Sequence, residues 1–381
     1  MKVVFTGGGT GGHFYPAIAM AEAVRDLARE QRLIEPRLYY FAPTPFDEDV
    51  LFENGIVFIR IPAGKMRRYR SFKNITDLLA TGTGFLMALS ALFRIFPDVV
   101  VSKGGYGSVP TVLAARMLGI PIIIHESDAK PGRANLLAAP FASRIAIAFP
   151  SAAAYFPKNT RGKIAQTGIP IRSEIARLET EGARQYLGLD LSIPTVLILG
   201  GSQGSSKINE TVLAALPELV SFANVIHQTG KELHADVQTR SSVILRNDEN
   251  AAHYHGFPYL DGLSLRRSAG AAAVVVSRAG AGAIAEIAAW KKPAILIPIP
   301  EEVSHDQRTN AYAYAHTGAA VVLEEQNLAP HVLVSEIRRI TGNPALAEEM
   351  GHKGASFNDA DAARIIGTEI VKIALSHEEK P

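Results

Sequence analysis

Short runs of β-branched and apolar residues recur along the chain, each breaking into glycine and then into a longer stretch with apolar positions at helical spacing. A run of four to six apolar residues without alternation reads as a strand buried on both faces, and its exchange with helical stretches reads as a parallel sheet. The clearest units are residues 3–5 into the glycine loop 7–12, 98–102 into 104–107, 195–199 into 200–204, and 274–277 into 280–282. Further buried strands are predicted at 38–41, 122–125, 145–147, 225–228 and 294–297. The segments "VVVSKGGYG" (99–107) and "VVVSRAGAG" (274–282) take corresponding late positions in two halves that each open on a strand and a glycine loop. The pattern therefore predicts an α/β protein of two Rossmann-like domains. Gly168 and Pro170 punctuate the chain between the two sets of strands, which places the domains at 1–168 and 169–361. The last segment, 362–381, is apolar at helical spacing from Ala362 to Ala374, can close either domain and is available to pack back on the first.

Composition narrows the classes. A length of 381 residues suits two domains, and 47% hydrophobic with 20% charged residues is ordinary globular usage, which excludes a disordered or collagen-like chain. Lysine plus arginine number 39 against 37 acids, and a net charge of +2 gives no general attraction for nucleic acid, so none is expected as a partner. The absence of cysteine removes disulfides, thiolate metal sites and cysteine nucleophiles, and fits a cytoplasmic setting. The apolar start reaches Gly7 too soon for an export signal. The uncharged stretch 78–93, bracketed by Asp77 and Arg94, falls short of the roughly 18 residues that span a bilayer, so no transmembrane helix is expected. Ahead of it lies the only dense basic run, Lys65, Arg67, Arg68, Arg70 and Lys73. Core packing is the expected fate of most of the stripe Ile75, Leu78, Leu79, Phe85, Leu86, Leu89, Phe93 and Phe96. Contact with an anionic bilayer is the second reading.

In a doubly wound sheet ligands sit at the carboxyl ends of the strands, where glycine lets the backbone approach phosphate and the next helix offers unpaired N–H groups. Gly7, Gly9 and Gly12 satisfy G-x-G-x-x-G, a weak dinucleotide signal on its own. The second strand ends in Ala42-Pro43 rather than an acid for an adenosine ribose, which makes an NAD-dependent oxidoreductase a minor reading. His13, closing the first loop, serves as a packing or capping residue or as a proton acceptor beside a phosphate nest. His125-Glu126 ends another buried strand at the same edge. Glu286, in the helix start after Gly280, either accepts hydrogen bonds from two ribose hydroxyls or complements the helix dipole. Asp306, Gln307 and Asn310 supply groups that suit sugar hydroxyls.

Together the segments "GGGTGGHFYPAIA" (7–19), "SKGGYGSVPTVLAA" (102–115), "HESDAKPGRAN" (125–135), "TGIPIR" (167–172), "LGGSQGS" (199–205), "SRAGAGAIAEI" (277–287) and "HDQRTNA" (305–311) closely resemble the MurG family of peptidoglycan N-acetylglucosaminyltransferases, in family order across almost the whole chain. The resemblance implies a GT-B fold, two Rossmann-like domains with a cleft between them, the acceptor on the first and UDP-GlcNAc mainly on the second. It implies transfer of GlcNAc to a lipid-linked MurNAc-pentapeptide (lipid I), giving lipid II, by a peripheral enzyme on the anionic cytoplasmic face of the cell membrane. The family's diphosphate loop falls on Thr10, Gly11 and Gly12, and its histidine on His13, the candidate base. Asn135 matches a cleft asparagine on the acceptor side, Arg172 the interdomain arginine, and Ser202 with Gln203 the second loop. Leu260 matches the residue whose backbone holds uracil, Gly282 and Ala283 the helix start by the pyrophosphate, Glu286 the ribose-binding glutamate, and Gln307 a GlcNAc-hydroxyl glutamine. The chain departs from the family at Asp128, where a donor-binding asparagine is usual, at Ile169 in the linker, and at Ala273, where an acid is usual. An inverting transfer without metal or cofactor is expected, since no Asp-x-Asp cluster stands at a strand end. A lipid glycosyltransferase with a diacylglycerol acceptor and a non-catalytic UDP-sugar-binding paralogue are the alternatives.

Overall fold

The computed structural model describes residues 1–64, 73–201, 203–302, 306–358 and 361–376; Lys65, Arg67, Arg68, Arg70, Ser202 and His305 lie outside the described residues. The chain divides into two compact units, Met1–Arg172 with Ala360–Pro381, and Ser173–Asp359. The first holds β1 (Lys2–Thr6), β2 (Arg37–Ala42), β3 (Ile56–Arg60), β4 (Val99–Ser102), β5 (Ile122–Glu126), β6 (Arg144–Ile147) and β7 (Ile164–Gln166). The second holds β8 (Thr195–Leu199), β9 (Asn224–Gln228), β10 (Tyr254–Phe257), β11 (Val274–Ser277), β12 (Ala294–Leu296) and β13 (Ala320–Val322). The sheet orders are β3-β2-β1-β4-β5-β6-β7 and β10-β9-β8-β11-β12-β13. All paired strands run parallel.

Both sheets reverse direction of growth at matching places, between β1 and β4 and between β8 and β11. The repeated segments 99–107 and 274–282 therefore occupy the same strand and loop in each unit, as their likeness predicts. At such a switch point the flanking helices leave on opposite faces and open a crevice beyond the strand ends. Register brings the loops together: Thr6 pairs with Ser102, and Leu199 with Ser277.

Apolar runs without alternation are explained by burial on both faces of the first sheet. Val3, Phe5, Val99 and Val101 enter one core cluster, whereas Val4 and Val100, pointing the other way, enter another. The first cluster also takes Val24 and Leu27 of the opening helix Gly11–Glu30 and Ile366, Ile370, Val371 and Ala374 of the terminal helix Ala362–Leu375. The terminal helix thus packs on the first unit.

The helix Lys73–Ile95 corrects a sequence expectation. Ala88 and Leu92 face the second cluster, and Gly84 lies so close to the Pro62 carbonyl that a Cβ would stand 1.7 Å from it. The stripe itself mostly turns outward: Ile75, Leu78, Leu79, Leu86 and Phe93 are 61–73% exposed. Core packing does not account for it. By length and composition Ile75–Ile95 is also apolar enough to cross a membrane, with only 17% of its most apolar window buried. Breaking the stretch at Asp77 and Arg94 underestimates it, because both charges sit within the helix.

Candidate functional site

In the first unit the chain leaves β1 through glycines and enters the opening helix, with extended Thr10 as its N-cap. The first turn of a helix has no preceding carbonyls to bond its N–H groups, so those of Gly11 and Gly12 are the natural donors to an anion. Thr10 Oγ1 lies 2.8 Å from His13 Nδ1. The imidazole rests between two backbones: a Cβ on Gly8 would meet Nδ1 at 3.1 Å, and one on Gly105 would meet Cε1 at 3.4 Å. Glycine at both positions is what gives the ring its seat. Burial, and then the Lys103 ammonium, pull the His13 imidazole down from 6.5 to about 4, so it is unprotonated at neutral pH. Two residues on, the Tyr15 ring carries the Arg172 guanidinium at 4.3 Å.

The second loop turns through Gly104 and Gly105, at φ +78° and +75°. Beneath it, Lys103 Nζ donates to His125 Nδ1 at 2.5 Å and to Ser127 Oγ, while His125 Nε2–H donates to Gly168 O at 2.8 Å. These bonds suit a neutral imidazole, and burial followed by Lys103 holds His125 well below 6.5. Glu126 accepts from the N–H groups of Asp128 and Gly132, both at 2.9 Å, and from Asn135 Nδ2 at 3.0 Å. Asn135 is buried and its amide also donates to His125 O at 3.1 Å, so this asparagine shapes the loop that follows β5. Asp128 lies half-buried in that loop.

The second unit repeats the design. Its first loop turns at Gly201 and Gly204, where a Cβ on Gly204 would stand 2.2 Å from Thr229 O. Gln203 is exposed there. Gln228, at the end of β9, ties this loop to the segment that follows β10: its amide donates to Gly201 O at 3.2 Å and its oxygen accepts from Leu260 N at 3.0 Å. After β11 the helix Ala281–Trp290 starts at Gly280, with no atoms within 4 Å of a Cβ placed on Gly280 or Gly282. Gly282, Ala283 and Glu286 share the partly exposed side of this helix, as spacings of three and four residues require. Gln307 opens the helix Gln307–Ala315, and its side-chain oxygen accepts from Ile299 N at 3.2 Å, which fixes the orientation of the amide.

Among the described residues, each unit thus assembles its own sequence-predicted side chains at the carboxyl edge of its sheet. Sequence reasoning missed Lys103, Gln228 and Arg278. Among the described residues no group of 3 or more acidic or histidine side chains is placed to hold a metal ion.

Comparison with known proteins gives two family matches, the glycosyltransferase family 28 N-terminal domain over residues 3–147 and its C-terminal domain over 195–365. The chain is 38% identical over 352 residues to the UDP-N-acetylglucosamine--N-acetylmuramyl-(pentapeptide) pyrophosphoryl-undecaprenol N-acetylglucosamine transferase of Halothermothrix orenii, covering 92% of this chain and 93% of that one. The transferase of the same name from Treponema pallidum is 35% identical over 371 residues, covering 97% and 94%. Among solved structures, MurG of Acinetobacter baumannii aligns with TM-score 0.71 and 26% identity over 97% of this chain and 99% of that one. A UDP-GlcNAc 2-epimerase from Neisseria meningitidis aligns with TM-score 0.67 over 98% and 100%, but at 17% identity it speaks for the fold alone.

Proposed function

The chain belongs to glycosyltransferase family 28, and on that premise we propose that it transfers GlcNAc from UDP-GlcNAc to the lipid-linked MurNAc-pentapeptide acceptor, the step from lipid I to lipid II in peptidoglycan synthesis. It is a hexosyltransferase of two Rossmann-like domains. The observation that carries the reading is the alignment, over nearly the whole chain, with relatives named for this transfer.

In this reading the C4 hydroxyl of the acceptor sugar attacks C1 of UDP-GlcNAc, the bond from C1 to the diphosphate oxygen breaks, and UDP leaves with the electron pair. The configuration at C1 inverts. The hydroxyl proton passes to His13 Nε2, whose lone pair is available when Nδ1–H donates to Thr10 Oγ1. A base oriented by a second hydrogen-bonding group is the usual arrangement. Charge on the departing diphosphate is met by helix-start N–H groups of the kind that Gly282 and Ala283 offer in the second unit, with Gln203 beside the nucleotide, and the Thr10–Gly12 helix start of the first unit offers the same kind of donor. Arg172 adds a cation, Leu260 offers its backbone to uracil, Glu286 takes the ribose hydroxyls and Gln307 a GlcNAc hydroxyl. Asn135, in the helix Arg133–Ala138, stands on the acceptor side, and Asp128 takes the place of a donor-binding asparagine. Replacing Glu286 by alanine is expected to weaken UDP-GlcNAc binding by about 1–3 kcal/mol, the range for hydrogen bonds to a charged group. Unchanged affinity by calorimetry would remove the ribose assignment.

The acceptor's polyprenyl chain stays in the bilayer, and the outward face of Lys73–Ile95, following the basic run, is the surface suited to meet it on the anionic cytoplasmic leaflet. Each cation near such a surface contributes roughly 1 kcal/mol, and each buried leucine about 1.5–3 kcal/mol. The double substitution Leu78→Ser with Leu86→Ser should lower binding to anionic vesicles at least tenfold. Transfer to a vesicle-embedded acceptor should fall with it, and transfer to a short-chain soluble acceptor should persist. Equal loss on both acceptors would place these leucines in the fold instead.

A further inference from the structure

Lys103 is a buried cation that the transfer chemistry leaves without a task. It follows Ser102 at the end of β4, is 2% exposed, and its main-chain N–H donates to Thr6 O at 2.8 Å, stitching β4 to β1. Its ammonium crosses the other way, to His125 and Ser127 at the end of β5. Burying a charge costs several kcal/mol unless counter-charges offset it. The ammonium bonds Ser127, whose chain neighbours Glu126 and Asp128 set two carboxylates about it to offset the charge, and against them burial still pulls it down from 10.5 to about 8. Glu126 is already committed to Asp128 N, Gly132 N and Asn135 Nδ2. That leaves Asp128, next to Ser127, as the carboxylate answering the ammonium.

The same cation stands beside the candidate base. A Cβ on Gly7 would meet His13 Cβ at 3.3 Å and Lys103 Cβ at 3.4 Å, so the two side chains flank one glycine. The second unit supplies an independent parallel. Arg278 holds the matching place after β11 and also crosses to the end of the next strand, donating to Ile297 O at 3.2 Å and Pro298 O at 3.4 Å. It bonds Ser205 Oγ at 2.6 Å in the first loop of that unit and pairs with Glu325 at 2.6 Å. In both units, then, a cation after the fourth strand crosses to the end of the next strand.

We propose that Lys103 is a positioning residue for the transfer and Asp128 its counter-charge, the pair holding the two glycine loops as the seat of His13. The effect on rate rests on His13 being the proton acceptor; the effect on the His13 ring does not. The titratable groups around the ammonium are His125 and Glu126 of β5, Asp128 of the following loop, His13 of the opening helix, and on β2 Tyr40, whose hydroxyl burial keeps un-ionised.

The test compares Lys103→Met, Asp128→Asn and the double variant in the full chain. His13 is titrated by nitrogen NMR, and kcat and KM are followed against pH on a soluble acceptor. Lys103→Met should raise the His13 midpoint by about one pH unit, because the nearest cation is gone. The acid limb of kcat should move with it, kcat at neutral pH should fall about tenfold, and KM for UDP-GlcNAc should hold. Adding Asp128→Asn should recover most of the lost kcat, since the unpaired carboxylate is removed with its partner. Asp128→Asn alone strips the ammonium of an offsetting charge, so the alkaline limb should move to lower pH. That variant changes a half-exposed side chain and decides the matter if Lys103→Met does not fold. An unmoved His13 titration, a double variant no better than Lys103→Met, or an Asp128→Asn profile that overlays the parent would each overturn the proposal. A His13 midpoint that shifts while the acid limb stays put would instead contradict His13 as the base and leave its coupling to Lys103 standing.

Discussion

Replacing His13 by alanine is expected to lower kcat about 10²–10⁴-fold, the usual contribution of a positioned general base, while UDP-GlcNAc affinity stays within about threefold. The expectation follows from geometry before titration: the ring is held by Thr10 and seated on Gly8 and Gly105, with its own first-turn N–H bonded to Thr10 O at 3.0 Å. The pH dependence has a definite sign. Protonation destroys the lone pair, and the folded imidazole takes its proton only near about 4. The parent rate should therefore hold from neutral pH down to about 5 and fall as pH drops through about 4. An acid limb centred near the ordinary 6.5, or a His13→Ala enzyme within tenfold of the parent, would move the base elsewhere.

Gly105→Ala should have the second large effect. The residue sits at φ 75°, ψ 162°, a region that residues other than glycine avoid at a cost of about 1–3 kcal/mol. A Cβ there would also stand 2.9 Å from Gly8 Cα and 3.0 Å from Gly8 N, both backbone, so the two loops must part. A lower unfolding midpoint and at least a tenfold loss of kcat are expected together. Gly12→Ala is the control for stability, because nothing lies within 4 Å of its Cβ position and it sits in the opening helix. Equal unfolding midpoints for the two variants would contradict the packing of the loops described here.

How much of this was legible in the amino-acid sequence depends on burial. The strands recognised in the sequence are the inner ones; β3, β7, β10 and β13, which are not among them, are the edges of the two sheets. Edge strands pack on fewer sides, and β7 and β10 mix polar with apolar residues accordingly, whereas β3 and β13 are apolar runs all the same. The helix Lys73–Ile95 shows the complementary limit. Its apolar period is correct, but periodicity does not say which side meets the core, and the close approach at Gly84 seats the helix on the face that carries Phe85, Ala88, Leu89 and Leu92. At the site, the glycines and His13 were readable because their roles are backbone roles tied to position after a strand. Gln228 carried no such sign. Lys103 and Arg278 did: each follows a serine at the same place in the two repeated segments, a match between cations that glycine-centred motifs pass over. Asn135, read on the acceptor side, bonds inward to His125 O and Glu126, a role that only the fold of the 127–132 loop reveals.

The most direct measurement is transfer of labelled GlcNAc from UDP-GlcNAc to a lipid I analogue in the presence of EDTA, with the product's anomeric configuration read by NMR. The account predicts an acceptor-dependent, lipid-linked disaccharide with inverted, β configuration, formed without added divalent metal, and no product with diacylglycerol. Conversion of UDP-GlcNAc to its 2-epimer without an acceptor, or label that stays on UDP-GlcNAc when lipid I analogue is supplied, would contradict it.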